Sequence, residues 1–256
     1  MQIPIPNGTE LQWTPTPDGF RSGFVALIGR PNVGKSTLLN QLVGEKVAIT
    51  SPVAQTTRNR LRAILTTETA QLVLLDTPGI HKPHHLLGER LVQTARNSIG
   101  EVDVVLALMD GSVPMGRGDQ FVLDLLQQIR QPVLLGLNKQ DLVAAQEQAE
   151  LIASYQAALP QAPLFPFSAT SGEGCAALVA AMAELLPPGP MLYPAGTISD
   201  QPERLLLAEL IREQVLHLTR EEIPHSVAVQ IERLEEDGPR TAVLATVMVE
   251  RSSQKG

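Results

Sequence analysis

The chain has 256 residues, 43% of them hydrophobic and 18% charged, with a formal net charge of −7 and a single cysteine. That composition supplies material for a core and excludes a disordered chain. The longest unbroken apolar run, Cys175 to Ala183, is nine residues, against the roughly 20 that a spanning helix needs, so a transmembrane protein is not expected. One cysteine excludes a disulfide framework and fits a reducing compartment; Cys175 is expected to be a buried small residue rather than a nucleophile. The acidic balance argues against bulk coating of nucleic acid.

Residues 1–20 contain four prolines and no lysine or arginine and read as a loose tail. They lack the charged start and apolar stretch of a signal peptide, so the chain is expected to stay in the cytoplasm. From Phe24 onward, short apolar runs alternate with helical patterns: Phe24–Ile28, Leu72–Leu75, Val104–Met109, Val133–Leu137 and Leu164–Phe167. Continuous apolar strands separated by helices predict a mostly parallel sheet with helices on both faces. Arg60–Thr66 shows no such run and is expected to pair antiparallel with Gln71–Leu75 as an edge strand.

After the first run comes Gly29-Arg-Pro-Asn-Val-Gly34-Lys35-Ser36, a match to G-x-x-x-x-G-K-S/T between a strand and a helix starting near Thr37. Glycines let backbone N–H groups curl around phosphate oxygens, and the helix N-terminus adds its positive dipole end. Lys35 supplies a mobile charge to the outer phosphates, and the Ser36 hydroxyl is a ligand for Mg²⁺. Forty residues on, Leu72–Leu75 ends in Asp76-Thr77-Pro78-Gly79. An Asp at that strand end can hold the magnesium through water, and Gly79 would let a backbone N–H approach the terminal phosphate.

Two further strand ends carry Asn138-Lys139-Gln140-Asp141 and Ser168-Ala169, on the side where open α/β sheets bind ligands. A carboxylate at Asp141 accepts hydrogen bonds from guanine N1–H and the 2-amino group. Adenine offers neither donor, and an unpaired buried carboxylate makes its rejection strong. His81, His84 and His85 cluster in one loop but have no acidic or cysteine partner at metal-ligand spacing, so no metal is expected there.

Pro187–Pro202 holds five prolines and two glycines and reads as a linker. Beyond it, Leu206, Leu207, Leu210, Ile211, Val215 and Leu218 share one face of a helix over Glu203–Leu218. Two strands follow, Ser226–Leu234 and Thr241–Glu250, around a turn signal at Asp237-Gly238.

These motifs resemble a translation-factor-class P-loop GTPase. Gln55-Thr-Thr-Arg58, Asp76-Thr-Pro-Gly-Ile-His-Lys-Pro83, Ser98-Ile-Gly100 and Pro224-His-Ser-Val-Ala-Val-Gln-Ile-Glu-Arg233 make the resemblance specific to the Era family of bacterial GTPases, from about Gly23 to Glu250. The resemblance implies an α/β G domain at 21–186, a linker at 187–202, and at 203–256 a partial type II KH-like α+β domain. It implies GTP and GDP as ligands, held by Gly29, Arg30, Pro31, Asn32, Val33, Gly34, Lys35, Ser36, Thr37, Thr56, Thr57, Asp76, Thr77, Pro78, Gly79, Asn138, Lys139, Asp141, Ser168 and Ala169. Lys35, Asn32, Thr57 and Gly79 would bear on hydrolysis. Thr57, with Thr56 as the alternative, would be the switch I threonine on Mg²⁺, beside Ser36 and Asp76.

Ile80 stands where Ras-like enzymes have a water-orienting glutamine, and isoleucine makes no such hydrogen bond. Asn32 occupies the phosphate-loop position where potassium-stimulated GTPases carry asparagine, which suggests K⁺ as a charge donor. The family binds 16S rRNA near its 3′ end and assists 30S subunit assembly, in the cytoplasm with some inner-membrane association; a monomer is expected.

A KH domain of this family would continue into two helices around a G-x-x-G loop, which grips the nucleic-acid backbone. No G-x-x-G follows Pro202, so the expectation is a C-terminally truncated chain with an uncovered sheet edge and helix face. After Pro202, seven Lys and Arg face ten Asp and Glu, and this stretch alone is not expected to hold RNA. An interaction module acting on protein or membrane partners is the alternative reading. A tRNA-modification GTPase would call for a different flanking domain.

Overall fold

The computed structural model describes residues 15–50, 61–77, 79–80, 99–218, 227–238 and 240–250. Thr56, Thr57, Pro78, His81, His84 and His85 lie outside the described residues. The described elements run β1 (Arg21–Gly29), α1 (Lys35–Val43), β2 (Leu61–Thr66), β3 (Ala70–Asp76), β4 (Val104–Asp110), α2 (Arg117–Leu126), β5 (Val133–Asn138), α3 (Ala145–Ala158), β6 (Leu164–Pro166), α4 (Cys175–Leu185), α5 (Glu203–Leu218), β7 (Ala228–Asp237) and β8 (Arg240–Met248).

Six strands form one sheet in the order β2-β3-β1-β4-β5-β6. β2 pairs antiparallel with β3, and the remaining pairs are parallel. Alternate side chains of each strand leave the sheet on opposite faces. Val25 and Leu27 of β1 join Leu38, Leu39, Leu178 and Met182 in one core layer, beneath α1 and α4. Ala26 and Ile28 join Val122, Leu123 and Tyr155 in the other, beneath α2 and α3. Both faces of β1, β3 and β4 are therefore dry, which is why these strands read as unbroken apolar runs. Among the described residues no helix is long and apolar enough to cross a membrane.

The proline-rich segment after α4 is strapped to the sheet. Ser22 N–H donates to Pro187 O (3.2 Å) and Ser22 Oγ to Pro190 O (2.6 Å). The buried Gln71 amide accepts from Leu192 N–H and Tyr193 N–H at 2.7 and 2.9 Å and donates to Tyr193 O at 2.9 Å. Further on, Ile64 N–H of the edge strand β2 donates to Ile198 O (2.9 Å), Ser199 Oγ donates to Arg62 O (2.9 Å), and Arg62 pairs with Asp200 (2.9 Å). Prolines lack N–H donors, so Pro187 and Pro190 only accept, while Gly189, Leu192, Tyr193 and Ser199 donate. The exposed N–H row of β2 is partly blunted by this segment. The upstream end is engaged too: Phe20 is buried, and Gly189 N–H donates to its carbonyl.

β7 and β8 form a two-stranded antiparallel sheet closed by Gly238 at φ +56°, with a bulge between Ile231 and Arg233. Both strands run closer to the turn than the sequence pattern suggested, because pairing continues to Asp237↔Arg240. On α5 the apolar stripe is only half covered, and Leu218 is 82% exposed. The buried positions are instead Ala208, Arg212, Glu213 and Leu216. On β8, Leu244 and Val247 face solvent.

Candidate nucleotide-binding site

β1 delivers the chain at Gly29 into a turn with close backbone approaches and two left-handed positions. A Cβ on Gly29 would sit 2.5 Å from Leu108 O. Asn32 lies at φ +62° and Gly34 at φ +100°, conformations that Asn and Gly adopt at low cost. A Cβ on Gly34 would fall 2.2 Å from Asn138 Nδ2. α1 starts immediately after this turn, with Thr37 half-buried in its first turn. The first N–H groups of a helix have no partner within it, which makes this N-terminus an anion cradle.

Lys35 is buried, and its Nζ donates to Gly29 O at 3.2 Å and Arg30 O at 2.9 Å. Burial pushes its ammonium down to about 8, with Asp76 opposing the shift. Ser36 Oγ donates to the Asp76 carboxylate at 2.8 Å, although the two lie 40 positions apart. A hydroxyl and a carboxylate this close, both hard oxygen donors, fit a small divalent cation. The Thr77 hydroxyl turns inward, donating to Leu27 O at 2.7 Å, so it anchors the strand end. Gly79 lies against the phosphate loop, where a Cβ would be 2.6 Å from Pro31 N. Ile80 N–H donates to Gly29 O at 2.9 Å, and the Ile80 side chain is fully buried in the core.

The Asn138 amide donates to Val33 O at 2.8 Å and accepts Ala169 N–H at 2.9 Å. One side chain thus ties the phosphate loop to the loop after β6. Lys139, at φ +66°, reaches Asp110 at the end of β4 (2.6 Å). Burial would raise the Asp110 carboxyl, but the hydrogen bonds from Lys139 and Ser112 outweigh it and hold the group below its ordinary value. Asp141 is exposed in the short 3₁₀ turn Gln140–Leu142 that leaves β5. Ser168 and Ala169 are buried; the Ser168 hydroxyl accepts Ser171 N–H at 3.1 Å and closes the loop. Cys175 opens α4 with its thiol buried, and burial raises the thiol pKa.

Two supporting carboxylates escaped the motif reading. Arg30 Nε donates to Asp119 at 2.6 Å, and Asp119 is fully buried while also accepting Gly116 N–H at 2.9 Å. The phosphate loop is therefore pinned to the start of α2. Asp110 does the same for Lys139. The only sequence signals were an Asp three residues after a helix N-cap and an Asp closing a strand.

A model for the 50S ribosome-binding GTPase family matches residues 24–139. GTPase Era of Synechocystis sp. is 57% identical over 258 residues, a match that covers 100% of this chain and 82% of that protein. The chain belongs to the Era family of GTPases. It is a guanine-nucleotide-binding enzyme that hydrolyses GTP. Among solved structures, Era in complex with MgGDPNP and nucleotides 1506–1542 of 16S ribosomal RNA superposes with TM-score 0.85 at 36% identity, covering 92% of this chain and 81% of that one. A tyrosine-to-alanine variant of Aquifex aeolicus Era bound to GDP and AlF4− gives TM-score 0.84, also at 36% identity and with the same coverage of each chain.

Because Asn138 satisfies one buried carbonyl and one buried N–H, Asn138→Ala should destabilise the nucleotide-free protein by about 2 kcal/mol. Denaturant unfolding monitored by circular dichroism reads this directly.

Proposed function

We propose that this chain is a GTP-driven switch acting on 16S rRNA during assembly of the 30S subunit, as a cytoplasmic monomer with weak peripheral association at the inner membrane. The observation that carries the reading is the likeness, over 92% of this chain, to an Era bound to both MgGDPNP and 16S rRNA. A phosphate loop and a base-binding edge on one side of the sheet, with α5, β7 and β8 appended, support the same reading. We assign 1–20 to an N-terminal tail, 21–186 to the G domain, 187–202 to the linker, and 203–256 to the incomplete KH domain.

In this reading the backbone N–H groups from Gly29 to Thr37 hold the phosphates, with Arg30, Pro31, Asn32, Val33 and Gly34 shaping the turn. The Lys35 ammonium moves from its carbonyl partners onto the outer phosphates. Ser36, Thr57 (or Thr56) and, through water, Asp76 hold Mg²⁺, which when bound neutralises charge developing on the phosphates. Thr77, Pro78 and Gly79 bring a backbone N–H toward the γ-phosphate. Asp141 reads the guanine edge, while Asn138, Lys139, Ser168 and Ala169 frame the base. The core position of Ile80 leaves no side chain there to orient water, so the charge for hydrolysis comes from elsewhere. Asn32, exposed and left-handed in the loop, is the residue to hold a K⁺.

Single-turnover hydrolysis should run at least about tenfold faster in KCl than in NaCl, a modest share of what a full charge at the phosphates supplies. Asn32→Ala should abolish the difference, and equal rates in the two salts would refute the K⁺ role. Lys35 carries its charge below about pH 8 and loses it above. GTP affinity should therefore be flat on the acidic side of that value and fall on the alkaline side. Binding should take up protons near pH 8, measurable by calorimetry in two buffers of different ionisation enthalpy. A gel shift with a 3′-end fragment of 16S rRNA tests the RNA role. A shift stronger with a GTP analogue than with GDP supports it; no shift in either state turns the reading toward a protein or membrane partner.

A further inference from the structure

Among its contacts with the G domain, the appended helix α5 places one fully buried carboxylate against the 46–50 loop. Glu213 has no exposed surface. Its Oε1 accepts Thr50 N–H at 2.8 Å and the Thr50 hydroxyl at 3.1 Å. Lys46 Nζ lies 2.5 Å from Oε2. One turn further along, His217 Nε2 lies 3.0 Å from the Thr50 carbonyl, a contact in which the ring N–H donates. Burial alone would raise the Glu213 carboxyl; the Lys46 and Thr50 contacts outweigh it and hold it below its ordinary value. The neighbouring Arg212 pairs with Glu209 of the same helix at 2.5 Å, while Glu213 and His217 reach the 46–50 loop.

The loop that receives Glu213 is fixed from its other side by α1, the helix that begins at the phosphate loop. Asn40 of α1 accepts Val47 N–H (3.0 Å) and Ala48 N–H (2.9 Å) and donates to Ala48 O (2.8 Å). Asn40 lies one helical turn after Ser36, on the element that opens at the phosphate loop. Thr50 is thus a junction. Two residues before it the chain is held by α1, across from it stands α5, and directly after it the sequence enters 51–60 with Thr56 and Thr57.

We propose that Glu213 is a positioning residue for nucleotide discrimination. By holding Thr50, the C-terminal helix sets the start of the threonine-bearing segment, and the nucleotide bound in turn sets how firmly α5 is held. Reciprocity is required by linkage: if α5 placement alters the preference for GTP over GDP, nucleotide exchange alters α5 by the same factor. The inference rests on the assignment of Thr56 or Thr57 to the γ-phosphate. It does not depend on RNA binding.

The test compares Glu213→Gln, Lys46→Met and the double variant with the parent chain, measuring affinities for a fluorescent GTP analogue and for the matching GDP, together with the thermal midpoint. Glu213→Gln keeps the shape and the Thr50 bonds to oxygen but removes the charge. Lys46→Met retains much of the side-chain stem and alters a half-exposed side chain, so it remains informative if Glu213→Gln does not fold. Each single variant should shift the GTP:GDP affinity ratio by about fivefold or more, the low end of allosteric couplings. The double variant should shift it no further than one single, because both break the same pair. Glu209→Gln, which weakens the Arg212–Glu209 pair of α5 and leaves Glu213 and Lys46 unchanged, should leave the ratio unchanged. A lowered thermal midpoint with ratios within about twofold of the parent would overturn the proposal and leave Glu213 as interdomain packing. A Glu209→Gln shift equal to that of Glu213→Gln would overturn it as well. Thr56→Ala and Thr57→Ala, measured in the same way, report separately on the threonine assignment: two unmoved ratios would reject that assignment whatever Glu213 does.

Discussion

The ligand-bearing edge of this protein depends on one buried amide. Asn138 leaves the end of β5 and bonds simultaneously to the carbonyl of Val33 and the N–H of Ala169. Without it, three loops emerging from β1, β5 and β6 would each have to satisfy buried backbone groups separately. With it, they share one brace, and the phosphate loop and the base-binding edge keep a fixed spacing. The requirement propagates outward. Gly34 must be glycine because the brace passes where its Cβ would be, and Gly79 must be glycine because the end of β3 lies on Pro31. The glycines in the motifs therefore record close approaches between loops as much as freedom within each.

Around that brace, paired carboxylates do the same work at lower visibility. Asp119 pins Arg30, Asp110 pins Lys139 and Asp76 holds Ser36. Each is at least partly withdrawn from water, and the two ion pairs, Arg30–Asp119 and Lys139–Asp110, are screened less there than at the surface. A side chain occupied in this way arrives at the site already oriented, which lowers the ordering cost of ligand binding.

Much of this was legible in the sequence for a physical reason. A strand buried on both faces leaves an unbroken apolar run, and a tight turn around phosphate leaves glycines at fixed offsets, so β1, β3, β4, β5 and the phosphate loop announce themselves locally. The edge strand β2 was readable from its short turn to β3. Pairings between distant residues leave no such trace. Nothing near Arg30 points to Asp119, and nothing near Thr50 points to Glu213, because the partners meet only once the chain has folded. On α5, periodicity marked the apolar stripe, whereas the positions most withdrawn from solvent include Arg212 and Glu213. A charge becomes buried when a partner satisfies it, and periodicity cannot see the partner. Likewise, the composition of 187–202 suggested a linker but could not show that its backbone runs along the sheet.

That strap has a geometric consequence for the C-terminal elements. Its last bonds to the sheet are made by Ser199 and Asp200, and α5 begins at Glu203, so only Gln201 and Pro202 separate an anchored backbone from a rigid helix. A tether this short allows rotation about a point and very little excursion. Glu213 therefore stays at a high effective concentration near Lys46 even when their bond is broken. Any displacement of α5 that keeps the Ser199 and Asp200 bonds would be confined to rotation about 201–202.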